Sequence, residues 1–398
     1  MGFLLPNLKK EREWVMTHSK KWSIRIFFLS LSIILGLAAM GTPVFAGIKC
    51  EAVPGAVTIG AQAQLVPPFA GTPFWRPESA QWDPRSGSWY VSNQHLLTGI
   101  APPTAPSMTD GYITQLNADG SLAEQNWVVG LGDPKGIRIL EGKLYVADFN
   151  DSIDVANTAY CLGGGIADDG VGDNMIVVID IATAAIENAL CVPEPAEVST
   201  IDNQVNDPVV DKKAASVYVS TRNTLPILQG LETHVWRVPL DGSEPVPLQV
   251  DGDDTPFGIR PNGTLLIQND LVVVNGEGKF YRVDLDTAFD PTQSIVLLGA
   301  WPGLKSLDGL ERDGGSFLVT MNEAPTANGG TGITKLARIR FQPDGTVKEQ
   351  DLCDGNSGAQ LADIGINHDT RVVAIPQLNQ IFGNKITFIS LDNVPELD

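Results

Sequence analysis

Histidine and cysteine are both scarce, four of each in 398 residues, and the cysteines form no CxxC pair and no cluster with histidine. That excludes the usual zinc spacings. Gly-x-Ser-x-Gly is absent, which argues against a serine-hydrolase elbow. Gly163-Gly164-Gly165 lacks the basic helix start that a phosphate cradle requires. No amphipathic helical pattern runs beyond two turns, so helix-dominated folds are excluded as well. Basic residues are few, 27 Lys and Arg against 47 Asp and Glu, for a net charge of −20. Such a chain repels nucleic acid and anionic membrane surfaces. Neutral or cationic small molecules and divalent cations are better suited to it.

Long apolar runs are also missing, apart from Ile26 to Ala39, which follows Lys20, Lys21 and Arg25 and leads to a small-residue exit at Val44-Phe45-Ala46. The run is too short and interrupted for a membrane span and reads as an export signal over residues 1–46, cleaved after Ala46. Lys49 before Cys50 is wrong for lipoprotein processing. Loss of the leader removes six Lys/Arg and two Asp/Glu, leaving 21 basic against 45 acidic residues and a net charge near −24. The expected location is secreted or periplasmic, with no stable membrane insertion after cleavage. Cys50, Cys161, Cys191 and Cys353 all lie beyond the cleavage point, in a compartment that permits disulfides.

What the mature chain has in plenty is a repeated step. Pro77-Glu78-Ser79, Pro134-Lys135-Gly136, Asn206-Asp207-Pro208, Pro261-Asn262-Gly263, Leu307-Asp308-Gly309 and Ala362-Asp363-Ile364-Gly365 each open into an apolar strand. The spacing, roughly 45 to 70 residues, is that of a radial all-β repeat. Aligned without gaps, IRILEGKLYVAD after Gly136 matches TLLIQNDLVVVN after Gly263, and a rival start at Pro256 breaks the register. Each unit then shows a tight turn, a second strand such as LYVAD or VYVST, and a third such as MIVVIDI or KFYRVDL. Asp119-Gly120, Asp241-Gly242 and Asp344-Gly345 turn the chain into a fourth strand.

The sixth unit ends after three strands, and the orphan segment Ala56 to Leu65 supplies the missing outer one. This closes the ring and removes its open edges. Residues 47–398 are therefore expected to form a six-bladed β-propeller of four-stranded antiparallel blades. On that strand order Cys161 and Cys191 share one end of a blade and form the favoured bridge, while the pairing of Cys50 and Cys353 stays open.

The long insertions, Gln94 to Asp110 and Phe149 to Asn174 among them, fall between strands two and three, on the same face as all six polar steps. Functional residues gather on loops held by such a scaffold. Glu78, Lys135, Asn206 with Asp207, Asn262, Asp308 and Asp363 are placed at the mouth of the axis. Carboxylate and amide oxygens suit a hard divalent cation, Ca²⁺ above all, and Glu78, Asn206, Asn262 and Asp308 form the expected ligand ring. Lys135 is expected to pair there with Asp363 or Glu78.

At these residues the chain resembles the regucalcin/gluconolactonase family, and its secreted bacterial members in particular, through the pattern PES, PKG, ND, PNG, DG and ADIG. The resemblance spans about Glu78 to Asp392. It implies a six-bladed propeller whose axial divalent metal serves lactone or ester hydrolysis. Glu78, Asn262 and Asp308 stand at the family's Glu, Pro-Asn-Gly and Asp-Gly steps, and Asn206-Asp207 at the step bordering metal and substrate. Pro208 departs from the small residue usual there. In this reading Asp308 takes a proton from attacking water, Asn206 orients a small neutral lactone or ester, and Lys135 steadies the oxyanion. His95, Asp207 and Asp363 contribute to substrate binding. The rival is a non-catalytic propeller that binds a small molecule or a protein partner across its looped face, with Trp75, Phe149 and Tyr160 as exposed aromatics.

Overall fold

The computed structural model describes residues 57–63, 74–94, 111–150, 173–193, 203–223, 234–248, 256–258, 260–285, 295–301, 306–322, 334–342, 346–355, 360–378, 385–392, 394, 395 and 397. The expected leader, the long loops between second and third strands, His95, Tyr160, Cys50 and Cys161 lie outside them. Among the described residues no helix is long and apolar enough to cross a membrane.

The described strands form six antiparallel sheets, five of them four-stranded meanders and the sixth completed by the first strand of the chain. Inner strands are Pro77–Asp83, Asp133–Leu140, Asn203–Asp211, Pro261–Ile267 and Leu307–Asp313 in blades one to five. In blade six the inner place is shared by Gln360–Leu361 and Gly365–Asn367, both paired with Val372–Leu378. The fourth blade does begin at Pro261, as the gapless alignment requires. Closure is also as expected: Val57–Ala63 pairs antiparallel with Lys385–Ser390 and becomes the outer strand of blade six.

Side chains alternate across a strand, so a blade has two faces and each can serve a different neighbour. In Lys143–Asn150, Leu144 and Val146 enter the seam with blade one, whereas Tyr145, Ala147 and Phe149 enter the seam with blade three. Phe149 is thus buried and is no exposed aromatic. Six separate apolar clusters result, one in each seam between successive blades. A ring of small cores explains how some 350 residues pack without dividing into domains. Cys353 belongs to the seam between blades five and six, and neither it nor Cys191 is a free thiol.

Candidate functional site

Every inner strand slips register once, always at the step that recurs in the sequence. Pairing with the second strand runs Pro77↔Asn93 then Ser79↔Ser92, and Pro134↔Asp148 then Ile137↔Val146. The same surplus residue appears between Val205 and Pro208, Pro261 and Thr264, and Leu307 and Leu310. Blade six repeats it, from Leu361↔Gln377 to Gly365↔Ala374. A bulge bends its strand and re-aims a side chain. Six equivalent bulges therefore present Glu78, Lys135, Asn206, Asn262, Asp308 and Ala362 as one ring, all buried.

The sixth member is a correction, because the register gives that place to Ala362. Asp363 stands one residue further along, equivalent to Ser79 and Asp207, in the layer beneath.

The bulges are held by their neighbours in two ways. Second-strand hydroxyls of blades one, three and five donate to the ring residue of the next blade: Ser92 Oγ to Lys135 O at 2.6 Å, Ser220 Oγ to Asn262 O at 2.6 Å, and Thr320 Oγ1 to Ala362 O at 3.1 Å. Ser92 and Ser220 in turn accept from the amides of Ser79 and Asp207. The other seams close by direct backbone approach. A Cβ on Gly136 would sit 2.6 Å from Asn206 O, and one on Gly263 2.4 Å from Asp308 O. This is why Gly follows the polar residue in those two steps. Arg76, Arg260 and Ser306, just before three of the inner strands, hold φ of 43°, 57° and 59°. Left-handed backbone at non-glycine residues is strain of the sort that gathers at ligand sites.

Within the ring, Asn262 Nδ2 donates to Asp308 Oδ1 and to Leu307 O, both at 3.0 Å. Asn262 Oδ1 is buried and without a hydrogen bond, and Asn206 Oδ1 is in the same condition. Leaving a buried amide oxygen unmatched costs about 1–3 kcal/mol. Two such oxygens at ring positions equivalent to those of Glu78 and Asp308 make a set with two charges and two neutral donors. A hard cation fits it. Among the described residues no three His, Cys, Asp or Glu side chains converge on a metal position, so half of this donor set is amide.

Lys135 pairs differently from expectation. Its ammonium donates to Asp133 Oδ2, both side chains being nearly fully buried, and neither Asp363 nor Glu78 is its partner. Asp133 lies only two residues away on the same strand, which makes it the nearest available acid.

Beneath the ring the axis is filled by Arg138, a residue the sequence reading passed over. Its guanidinium meets Asp207, Glu311 and Asp363 at 3.5, 3.2 and 3.4 Å. Gln81 Nε2 completes the layer, donating to Glu311 Oε1 at 3.0 Å. Gln81, Arg138 and Glu311 each stand three residues after their ring residue, where blades three, four and six carry Val209, Leu265 and Gly365. That polar interruption was the available signal.

Burial pushes the Asp207 carboxyl well above the ordinary carboxylate range even though Arg138 pulls it down. Burial likewise raises Asp363 from 3.8 to about 6, against the pull of Arg138 and the Ser79 hydroxyl. The folded protein then keeps a proton on Asp363 that the unfolded chain has lost. This contribution to stability is full below about pH 4 and is lost as pH rises through about 6, on the order of 3 kcal/mol in all. Urea unfolding with chelator present, at pH 4 and pH 7, is expected to show a smaller pH dependence in Asp363→Asn. An unchanged difference between the two pH values would refute it.

No family model matches the chain, and no curated protein does. Among solved structures, the chain is similar to a gluconolactonase from Xanthomonas campestris. Identity is 13%, over 88% of this chain and 95% of that chain, with a TM-score of 0.49. The periplasmic gluconolactonase of Pseudomonas aeruginosa is similar at 12% identity, over 75% of this chain and 77% of that chain, TM-score 0.45. A soluble aldose sugar dehydrogenase from Escherichia coli is similar at 11%, over 83% and 99%, TM-score 0.46. None of these likenesses bears on the chemistry, which rests on the ring.

Proposed function

We propose that the protein is a metal-dependent hydrolase of small neutral lactones or esters, working from the axial ring. One observation carries the reading: the six inner strands all bulge at one level and bring Glu78, Asn206, Asn262 and Asp308 to equivalent positions, with two buried amide oxygens unmatched. Those four residues would hold a divalent cation, Ca²⁺ by the hardness of the donors. The ion, when bound, supplies Lewis-acid polarisation of a substrate carbonyl.

The rest of the chemistry belongs to the chain. Asp308 takes the proton of the attacking water, and the same proton then passes to the alkoxide that leaves as the acyl C–O bond breaks. Asn262 Nδ2, on Asp308 Oδ1, keeps that carboxylate oriented. Asn206 orients the substrate, and the Lys135 ammonium, anchored on Asp133, stabilises the oxyanion. Asp207 and Asp363, one layer down, act on the substrate through the ring, and His95 is proposed to contribute to substrate binding. We place the protein in an exported, oxidising compartment, supported by the leader pattern of residues 1–46 and by Cys191 and Cys353 not being free thiols. A Cys161–Cys191 bridge is part of this proposal.

A panel of lactones and esters, assayed with and without chelator, tests the reading. Turnover that chelator removes and calcium restores is expected. Absence of turnover together with absence of calcium binding would favour a non-catalytic propeller.

A further inference from the structure

We infer that Arg138 is the positioning residue of the ring: from one layer below, its single guanidinium sets the spacing of the four proposed metal ligands. This goes beyond the proposed function but takes its ligand set from it.

The geometry is one of convergence. Nη2 reaches Asp207 Oδ2 at 3.5 Å, Thr264 O at 3.3 Å and Leu310 O at 3.3 Å. Nη1 reaches Asp363 Oδ2 at 3.4 Å, Glu311 Oε1 at 3.2 Å and Ile137 O at 3.3 Å. These are groups of blades two to six, and none of the individual contacts is short. Their placement along the chain is what matters. Asp207 follows Asn206, Thr264 lies two residues after Asn262, and Leu310 two after Asp308. The fourth link runs through Asp363, whose amide donates to Glu78 O at 2.8 Å and whose Oδ2 accepts from Ser79 Oγ at 2.6 Å. Asp207 Oδ2 also accepts from Thr264 N at 2.6 Å, tying blade three to blade four.

Each ring residue is thus within two residues, or one hydrogen bond, of a group that Arg138 touches. A planar fork with five donors spans acceptors on opposite blades that the compact three-donor ammonium of a lysine does not reach together. Arg138 is also held charged: burial works against it, but Asp207, Asp363 and Glu311 outweigh that. It touches no substrate position, so its role is exerted through the ring.

Two charge-conserving variants test this. Arg138→Lys keeps the charge and loses the fork. Arg338→Lys does the same to a second fully buried arginine, bonded to Asp313, Gln350 and Pro395 O at the far end of the blade. Amide hydrogen exchange with chelator present is the metal-independent readout. Arg138→Lys is expected to speed exchange about tenfold at residues 206–207, 262–264, 308–310 and 362–364 while leaving the third and fourth strands protected. Arg338→Lys is expected to leave those four segments unchanged.

Calcium affinity, measured by calorimetry below the unfolding transition, is expected to weaken by about 10- to 100-fold in Arg138→Lys and to hold in Arg338→Lys. Unchanged exchange at the four segments, or an increase spread evenly over the blades, would overturn the inference. Should Arg138→Lys fail to fold, Glu311→Gln loosens one arm of the fork. Faster exchange confined to 308–310 then supports the inference, and no local change overturns it. A wild type that binds no calcium would sink the metal reading and leave the exchange data to judge Arg138.

Discussion

Asp308→Asn is expected to lower calcium-dependent lactone turnover by about 10²- to 10⁴-fold, the usual worth of a general base. Asparagine preserves the shape and an oxygen for the Asn262 Nδ2 hydrogen bond now made at 3.0 Å. It cannot accept a proton at neutral pH. The backbone at this position is fixed independently, since Gly263 packs against Asp308 O and Asn262 bonds Leu307 O, so thermal unfolding is expected to stay cooperative with a similar midpoint. Loss of activity then reports chemistry and not collapse of the ring. The variant also removes one of the two carboxylate charges from the ligand set. Turnover should therefore be measured at calcium concentrations high enough to saturate any weakened site. Retained activity under those conditions would remove Asp308 from the mechanism.

Arg138→Met is expected to destabilise the fold by about 3–5 kcal/mol, because methionine fills much of the volume while Asp207, Glu311 and Asp363 lose their shared cation in a buried place. Breaking one side of a buried charge network costs far more than replacing both sides. Adding Asp207→Asn and Asp363→Asn to Arg138→Met should recover a large part of the loss. The urea midpoint at pH 7 checks both statements. A single variant within about 1 kcal/mol of wild type would mean that the three acids are already neutral or solvated. Asp363, raised to about 6 with Arg138 in place, is mostly ionised in the wild type at pH 7, and without Arg138 burial drives it higher, so the loss is expected to be larger at pH 7 than at pH 5.

The ring was legible because a bulge leaves a mark on the sequence. Each blade needs a residue that re-aims inward and a small or specially bonded one beside it, which is the recurring pair Lys135-Gly136, Asn262-Gly263 or Asp308-Gly309. Blade six misled for a physical reason: its inner strand is interrupted between Leu361 and Gly365, so the acidic residue nearest the step, Asp363, drew the alignment one place too far. Lys135 misled differently. Its partner Asp133 lies two positions away on the same strand, just before the bulge that re-aims Lys135.

Blade number, strand order and the six polar steps follow from the sequence alone, because each depends on periodicity and turn chemistry within a few residues, and closure by the N-terminal strand followed from the strand the sixth unit lacked. What fills the axis was decided only by the tertiary structure. Arg138 meets Thr264 and Leu310, 126 and 172 residues away, only after the ring has closed. No local pattern encodes that distance, so one buried guanidinium inside an apolar strand gave no sign of the five blades it would join.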